Sequence, residues 1–248
     1  FTKATAIDVN DPIKEFNKIK DAFKRQYTTF NEIKGENIVR LIGHCFREDE
    51  DCQNAEFVLI TEYVSDESLA DVFRSGKPMS HKTRLEIAVG IAQGMSRIHD
   101  LGFIHRGIQP TNIFISPLNN IPKIGDMAVA KVFDETQRTH TIIQHPFMPP
   151  ECKQGIYDKK LDVYMFGKTI FLLFGGKQTS SGNNITIEKN PEILKSFIEF
   201  CIANNRQNRP VSKVVKIKLI FFNKYMGYCI NEIEKDKNID YKIQSIED

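Results

Sequence analysis

The sequence predicts an α+β fold in which the strands come first along the chain and the helices follow. Before residue 64, short apolar runs contain β-branched and aromatic residues, and beyond it apolar residues recur every three or four positions. Strands gathered before helices favour an α+β arrangement over an alternating α/β one. With 248 residues, 41% of them hydrophobic, the chain is long enough for two lobes that share a cleft.

Three segments near the start are predicted strands: Thr5–Val9, Asn37–Gly43 and Phe57–Tyr63. Between the first two, apolar residues recur at intervals of three and four from Ile13 to Ile33. This spacing predicts an amphipathic helix of about six turns. The small first part of the chain should therefore combine one helix with a few strands.

The rest of the chain is predicted to be mainly helical. Ser80 is the expected N-cap of a long helix that ends near Gly102. Three further helices are expected at Leu161–Phe174, Pro191–Ile202 and Val211–Ile233. The Leu161–Phe174 segment is apolar nearly all round, which predicts a helix buried in the centre of its lobe. The apolar residues of the last helix, Ile220, Phe222 and Tyr225 among them, are interpreted as core, with a docking groove as the alternative.

Composition excludes several classes of function. The formal charge of +2 gives no reason to expect a nucleic-acid partner. The five cysteines are scattered without a C-x-x-C pair, which argues against zinc and favours reduced thiols in the cytoplasm. The longest apolar run, Thr169–Phe174, is far short of the roughly 18 residues that a membrane span needs. The chain begins with Phe1 rather than Met, so we expect a longer parent protein, and a membrane segment before Phe1 stays open.

The segment Phe103–Ile115 is the most informative part of the chain. His105, Arg106 and Asn112 have the residue types and spacing of the catalytic loop of eukaryotic protein kinases. In that loop, an Asp after the Arg accepts the proton of the substrate hydroxyl, and the Asn binds magnesium. Here Gly107 occupies the position of the Asp.

The chain resembles the protein kinase family over nearly its whole length, in particular the tyrosine-kinase-like and plant receptor-like branch. The matching segments are Glu36–Cys45, a hinge-like Leu59–Val64 with Thr61 as gatekeeper, Gly125–Ala128 in place of Asp-Phe-Gly, Pro149–Glu151, Asp162–Gly167 and Arg209–Pro210. The resemblance implies a bilobal kinase-like fold with a partial small lobe over residues 1–63, lacking its first strands. A helical large lobe is expected over 64–230 and a charged tail over 231–248.

The resemblance also assigns structural roles that this sequence retains. Glu151 and Arg209 are expected to form an ion pair inside the large lobe. Asp162 is expected to accept hydrogen bonds from the backbone of the catalytic loop. An apolar column joining the two lobes is expected from Phe30, Leu41, His105 and Met127.

The residues that would perform the chemistry are mostly replaced, and no catalytic residue is assigned. Gly107 has no side chain that could act as a base, and Gln109 replaces a Lys that neutralises the transferred phosphoryl group. Asp8 aligns with the Lys of the third strand, with Lys3 as the nearest alternative, and Gln26 aligns with the Glu partner of that Lys. No glycine-rich phosphate loop is found, because the chain starts after its expected place.

Some candidate nucleotide-binding residues are retained. Asn112 and Asp126 match the two magnesium ligands of the family, and oxygen donors suit magnesium. Asp71 is expected to lie near a ribose. The remaining candidates are the hinge residues Thr61, Glu62 and Val64. The alternative is that Asn112 and Asp126 only hydrogen-bond the loop backbone.

Three functions remain open from the sequence. The first is a pseudokinase that needs no cofactor and binds a protein partner, such as an active kinase or a receptor. The second is a nucleotide-binding or weakly active kinase that uses Mg-ATP, with Asp126 as the nearby carboxylate on the motif. The third is a truncated copy without a settled role, whose missing strands would leave a sheet edge prone to association.

Overall fold

The computed structural model describes residues 21, 23–24, 27–28, 30–48, 55–126, 131–132, 146–178, 185–186 and 192–225. The helices are α1 (helical at 21, 23–24, 27–28 and 30–32), α2 (Leu69–Ser75), α3 (His81–Asp100), α4 (Lys159–Leu173), α5 (Glu192–Cys201) and α6 (212–225). The strands are β1 (Leu41–Glu48), β2 (Ala55–Thr61), β3 (Phe103–Ile104), β4 (Ile113–Ile115), β5 (Pro122–Ile124), β6 (Lys131–Val132), β7 (Lys177–Gln178) and β8 (Ile185–Thr186).

The first sheet is the antiparallel hairpin of β1 and β2, in which Leu41 lies opposite Thr61 and Glu48 opposite Ala55. The predicted strand at Asn37–Gly43 starts too early, because its first residues pair with β5 instead. The Val39 N–H donates to the Ile124 carbonyl, and the Ile124 N–H donates to the Asn37 carbonyl, both at 2.9 Å. The chain thus crosses from α1 into the hairpin along β5.

Two glycines of α3 let the helix approach this crossing. A Cβ atom on Gly90 would lie 2.5 Å from Pro122, and one on Gly94 would lie 2.7 Å from the Asn37 carbonyl oxygen. Neither distance is compatible with a larger side chain. The close contact fixes β5, and with it the catalytic-loop region, on the surface of α3.

The core lies around α3 and α4. The Ser80 hydroxyl accepts a hydrogen bond from the Thr83 N–H at 3.1 Å, so α3 begins where the sequence predicts. Its apolar face is buried throughout: Leu85, Ala88, Ile91, Ala92, Met95 and Ile98. In α4, 11 of the 15 residues are buried, which confirms the prediction of a buried helix.

The prediction for the last helix is wrong in one respect. Val215 and Leu219 of α6 are fully buried, but Ile220 is 42% and Tyr225 58% exposed. The apolar residues of α6 recur on two faces, and only one of them packs against the core.

The α+β class is confirmed for the described residues. The predicted strand at Thr5–Val9 and the charged tail 231–248 lie outside them, and the boundaries near residues 63 and 230 stay predictions. In the described part of the chain, no helix is long and apolar enough to cross a bilayer.

Candidate functional site

Asp162 of α4 organises the loop that contains the kinase-like motif. Its carboxylate accepts the His105 N–H and the Arg106 N–H, each at 2.7 Å, and it contacts His99 Nε2 at 2.8 Å. Burial alone raises the pKa of Asp162, but the His99 hydrogen bond and the neighbouring imidazoles lower it below its ordinary value overall. The predicted role of Asp162 as acceptor for the loop backbone is confirmed.

Two residues of the site have left-handed backbone conformations without being glycine. Arg106 has φ of 62° and Asp126 has φ of 54°. Such conformations cost free energy in a residue with a Cβ and persist where surrounding contacts hold them. The short hydrogen bond from the Arg106 N–H to Asp162 is one such contact, and it turns the chain sharply before Gly107.

His105 is fully buried, and its two ring nitrogens have different partners. Nε2 lies 2.9 Å from the Gly125 carbonyl, and Nδ1 accepts the Gly107 N–H at 3.1 Å. Because Nδ1 accepts, the proton of the neutral ring belongs on Nε2, which donates to Gly125. Burial lowers the pKa of His105 below its ordinary value, although the nearby Asp162 charge opposes the shift.

This geometry predicts that acid destabilises the chain through His105. Its folded pKa is lowered, so below an unfolded pKa of about 6.5 the unfolded state binds more protons than the folded state. The stability that His105 contributes should therefore be complete above pH 6.5 and fall as the pH drops towards the folded pKa. Urea denaturation at pH 7.5, 6.5, 5.5 and 5.0 measures this loss.

The matched control is His105→Phe, which keeps a planar ring but cannot be protonated. We expect this variant to be less stable at pH 7.5 and to lose less stability between pH 6.5 and 5.0 than the natural chain. Equal losses in both proteins would show that His105 is not the titrating group.

Gly107 lies at the position that a catalytic base would occupy. A Cβ atom there would have as its nearest neighbours Asn112 Nδ2 at 3.0 Å and two ring atoms of His105 at 3.3 Å. None of these three atoms belongs to a carboxylate. The Asn112 side chain also donates to the Gly107 carbonyl at 3.0 Å, so the loop closes on itself around the glycine.

Asn112 and Asp126 are brought side by side by the pairing of β4 with β5. The Gly125 N–H donates to the Asn112 carbonyl at 2.8 Å, directly before Asp126. The Asn112 amide nitrogen donates to Gly107, its Oδ1 lies 3.5 Å from the Thr111 hydroxyl, and the Asp126 side chain is exposed. Amide and carboxylate oxygens are of the chemical type that suits magnesium, whose remaining ligands are often phosphate and water, and binding at this place stays a prediction. The described residues contain no cluster of three or more His, Cys, Asp or Glu suited to a metal.

Gln109 follows on the same loop, and its side chain is neutral. Its Oε1 atom is buried and finds no hydrogen-bond partner among the described residues. A buried acceptor without a donor typically costs about 1–3 kcal/mol. An amide cannot neutralise a phosphoryl group as the ammonium expected in the family would.

The hinge candidates lie where β2 ends. Thr61 is the last residue of β2 and is exposed, and Val64 is half-buried. Glu62 is held on two sides, because its Oε1 accepts the Arg40 N–H and the Lys123 ammonium, each at 2.8 Å. Burial raises the pKa of Glu62, but these two partners lower it overall. The ion pair between Glu62 and Lys123 thus joins the hinge to β5. Nucleotide binding by the hinge stays a prediction.

Asp71 has a structural role that the sequence reasoning missed. It accepts the Ser68 N–H at 2.8 Å and the Ser68 hydroxyl at 2.6 Å, while the Ser68 hydroxyl accepts the Asp71 N–H. This is a capping box, and the sequence signal for it is the Ser-x-x-Asp spacing. Asp71 also pairs with Arg74. Its predicted ribose contact stays a prediction.

Glu151 and Arg209 form the expected ion pair. The guanidinium contacts both carboxylate oxygens, Nη1 to Oε1 and Nη2 to Oε2, the second at 2.9 Å. Arg209 also donates to the Ala203 carbonyl at 2.8 Å and lies 4.7 Å from the ring centre of Tyr164. Its side chain is fully buried. The prediction from the resemblance is confirmed.

The expected apolar column is described in part. Phe30 is part of the buried core, Leu41 packs against that core, and His105 is buried. Met127, Asp8 and Gln26 lie outside the described residues, so their expected roles stay predictions.

The sequence matches the family model of the protein kinase domain over residues 3–233. It is 33% identical over 238 residues to putative cysteine-rich receptor-like protein kinase 31 of Arabidopsis thaliana, covering 87% of this chain and 33% of that protein. It is 29% identical over 201 residues to probable serine/threonine-protein kinase PBL4 of the same plant, covering 78% and 46%. A probable serine/threonine-protein kinase of Dictyostelium discoideum is 26% identical over 215 residues, covering 79% and 13%. The chain spans less than half the length of each of these relatives.

Proposed function

Because this chain belongs to the protein kinase family, we propose that it is a catalytically inactive member that acts by binding another protein. The proposal rests first on Gly107, which takes the position of the catalytic Asp in a loop that keeps His105, Arg106 and Asn112. Asp162 holds the loop backbone through two hydrogen bonds of 2.7 Å, so the position of the base is formed but its carboxylate is absent.

Inactivity follows from the charges that phosphoryl transfer needs. Loss of a general base typically costs about 10²–10⁴-fold in rate. Catalysis of phosphoryl transfer depends mainly on positioning and on neutralising developing charge. Gln109 supplies no charge at the position where the family has a Lys. These losses fall on the same reaction, so we infer that its rate is negligible.

The proposed role is that of an interaction scaffold or allosteric regulator in signalling. The buried contacts of Asp162 and Arg209 support a kinase-like large lobe and do not depend on catalytic chemistry. Such a fold suits a partner that recognises kinase surfaces, either an active kinase or a receptor. No step of this role requires a bound cofactor.

Transfer of radiolabelled phosphate tests the proposal. The purified chain is incubated with Mg-ATP and with a panel of protein substrates, and the control is the Asp126→Asn variant prepared in the same way. We expect the same background label from both proteins, on themselves and on the panel. Label that the natural chain transfers and Asp126→Asn does not would overturn the proposal.

A second candidate function is binding of Mg-ATP, with weak activity or none. It is favoured by Asn112 and Asp126, which follow the backbone hydrogen bond between Asn112 and Gly125 at the end of the β4–β5 hairpin. When bound, magnesium would neutralise phosphate charge there. What the chain itself would contribute is the fixed direction of the Asn112 side chain, set by its bond to the Gly107 carbonyl.

A thermal-shift titration tests nucleotide binding. If Mg-ATP binds, ligand at about 100 times its Kd should stabilise the chain by roughly 2.7 kcal/mol, which raises Tm by about 5–10 °C. The Asp126→Asn variant should lose the shift without losing stability in the absence of ligand, because Asp126 is exposed. A flat titration of the natural chain would exclude this candidate and leave the scaffold role.

A further inference from the structure

Helix α6 has a second apolar face that points away from the core. Val214, Ile217, Phe221 and Tyr225 follow one another at intervals of three, four and four, and each is more than a third exposed. We call these four residues the outer stripe. The rings of Phe221 and Tyr225 are stacked, with an interplanar angle of 8°.

The outer stripe borders a groove. Its open cavity of about 290 Å³ is lined by Phe221, Phe222 and Tyr225 of α6 and, from neighbouring elements, by His81, Leu85, Phe174, Ile193 and Leu194. Of the 12 large apolar side chains that are exposed in the described ranges, eight lie on α5, on α6 or at Val211 just before α6. Exposed apolar side chains clustered in this way mark a binding surface.

The charged side chains of α6 itself all have one sign. Residues 212–225 contain four lysines and no acidic residue. At helical spacing, Lys213 and Lys224 flank one side of the stripe and Lys218 lies on the other. An apolar stripe between cations suits a segment that is apolar on one side and acidic beside it.

The chain itself contains a segment of that composition. Residues 231–248 hold six acidic and three basic side chains, a formal charge of −3. Within them, Ile239, Ile243 and Ile246 recur at intervals of four and three, with Asp240 and Glu247 beside them. The fourteen residue steps from Tyr225 to Ile239 can span at most about 50 Å, while α6 is only about 21 Å long. The segment can therefore reach any part of the stripe.

We propose that residues 236–248 dock on the outer stripe of their own chain. Ile239, Ile243 and Ile246 would enter the groove beside Phe221, and the acidic residues would meet the flanking lysines. Attachment to α6 raises the local concentration of the segment to the order of millimolar, so even a weak contact would be populated. The proposal does not depend on whether the chain binds nucleotide or transfers phosphate.

Competition by the attached segment gives the test. A labelled synthetic peptide of residues 236–248 is titrated into the natural chain and into a full-length variant with Ile239→Ser, Ile243→Ser and Ile246→Ser. We expect saturable binding to the variant and at least tenfold weaker binding to the natural chain, because its own segment occupies the groove. Raising the salt concentration should weaken binding to the variant.

Two control variants distinguish peptide binding in the groove from nonspecific binding to exposed apolar side chains. Adding Phe221→Ser to the three-serine variant should reduce peptide affinity at least fivefold. Adding Ile42→Ser should not, although Ile42 is equally exposed, because it lies on β1. Equal peptide binding by the natural chain and the three-serine variant, or no binding by either, would overturn the proposal. So would sedimentation that shows a dimer of the natural chain which Phe221→Ser dissociates, because the stripe would then serve a second copy.

Discussion

Replacing Asp162 by Ala should destabilise the chain by about 3–5 kcal/mol, the cost typical of removing one partner from a buried charged network. The substitution removes the acceptor of the His105 N–H, the Arg106 N–H and His99 Nε2, all of which lie at the centre of the lobe. Since whole domains are stable by only about 5–15 kcal/mol, the loss is a large share of the total. The chain contains no Trp, so urea denaturation followed by circular dichroism is the suitable measurement.

Asp158→Ala is the matched control, because it removes the same side chain from the same helix near the surface. Asp158 is the N-cap of α4, accepts the Lys160 N–H at 2.7 Å and pairs with Arg206. Loss of such a cap typically costs about 0.5–2 kcal/mol. If Asp162→Ala cost no more than Asp158→Ala, the hydrogen bonds of Asp162 would not be what holds the loop.

Replacing Arg209 by Met should cost a similar amount, about 3–5 kcal/mol. It leaves the Glu151 carboxylate without its bidentate partner and leaves the Ala203 carbonyl without its donor. Arg209→Lys should also be strongly destabilising, because a single ammonium cannot form the two parallel contacts of a guanidinium. Denaturation in urea measures both variants under the conditions used for Asp162.

A double variant distinguishes the buried pair from simple loss of packing. Glu151→Leu together with Arg209→Met removes both charges, so it should be less destabilising than the sum of the two single substitutions. Arg206→Ala removes an arginine from the more exposed pair with Asp158 and should cost less than about 1 kcal/mol. Strict additivity of the Glu151 and Arg209 substitutions would contradict a direct energetic coupling between them.

The sequence predicts two kinds of feature well here. They are the residues of recognisable motifs and the long helices with a regular apolar pattern. Glu151 and Arg209 are 58 residues apart, and Asp162 is 57 residues from His105, but their motifs place each of them, and the contacts are as expected. The long helices α3 and α4 follow from apolar periodicity and from the Ser80 cap. Such features depend on local pattern or on a motif, and both can be read in a single sequence.

The features that sequence does not predict depend on contacts between distant segments. Lys123 meets Glu62 across 61 residues, and nothing in the local pattern of either marks the pair. The start of β1 is displaced because Asn37–Val39 find partners in β5. Ile220 and Tyr225 have helical spacing typical of a core face, yet whether a face is covered depends on the neighbouring elements. The capping role of Asp71 can be predicted from the Ser-x-x-Asp spacing, but the resemblance favoured a ligand contact instead.

We propose that this chain retains the scaffold of a kinase without the groups that transfer phosphate. The most direct test is the single-turnover rate of γ-phosphoryl transfer from Mg-ATP to a hydroxyl, with the chain in excess over ATP and Asp126→Asn as the parallel sample. We predict that the two proteins give the same rate, equal to that of ATP in buffer. A faster rate in the natural chain that disappears in Asp126→Asn would contradict the claim.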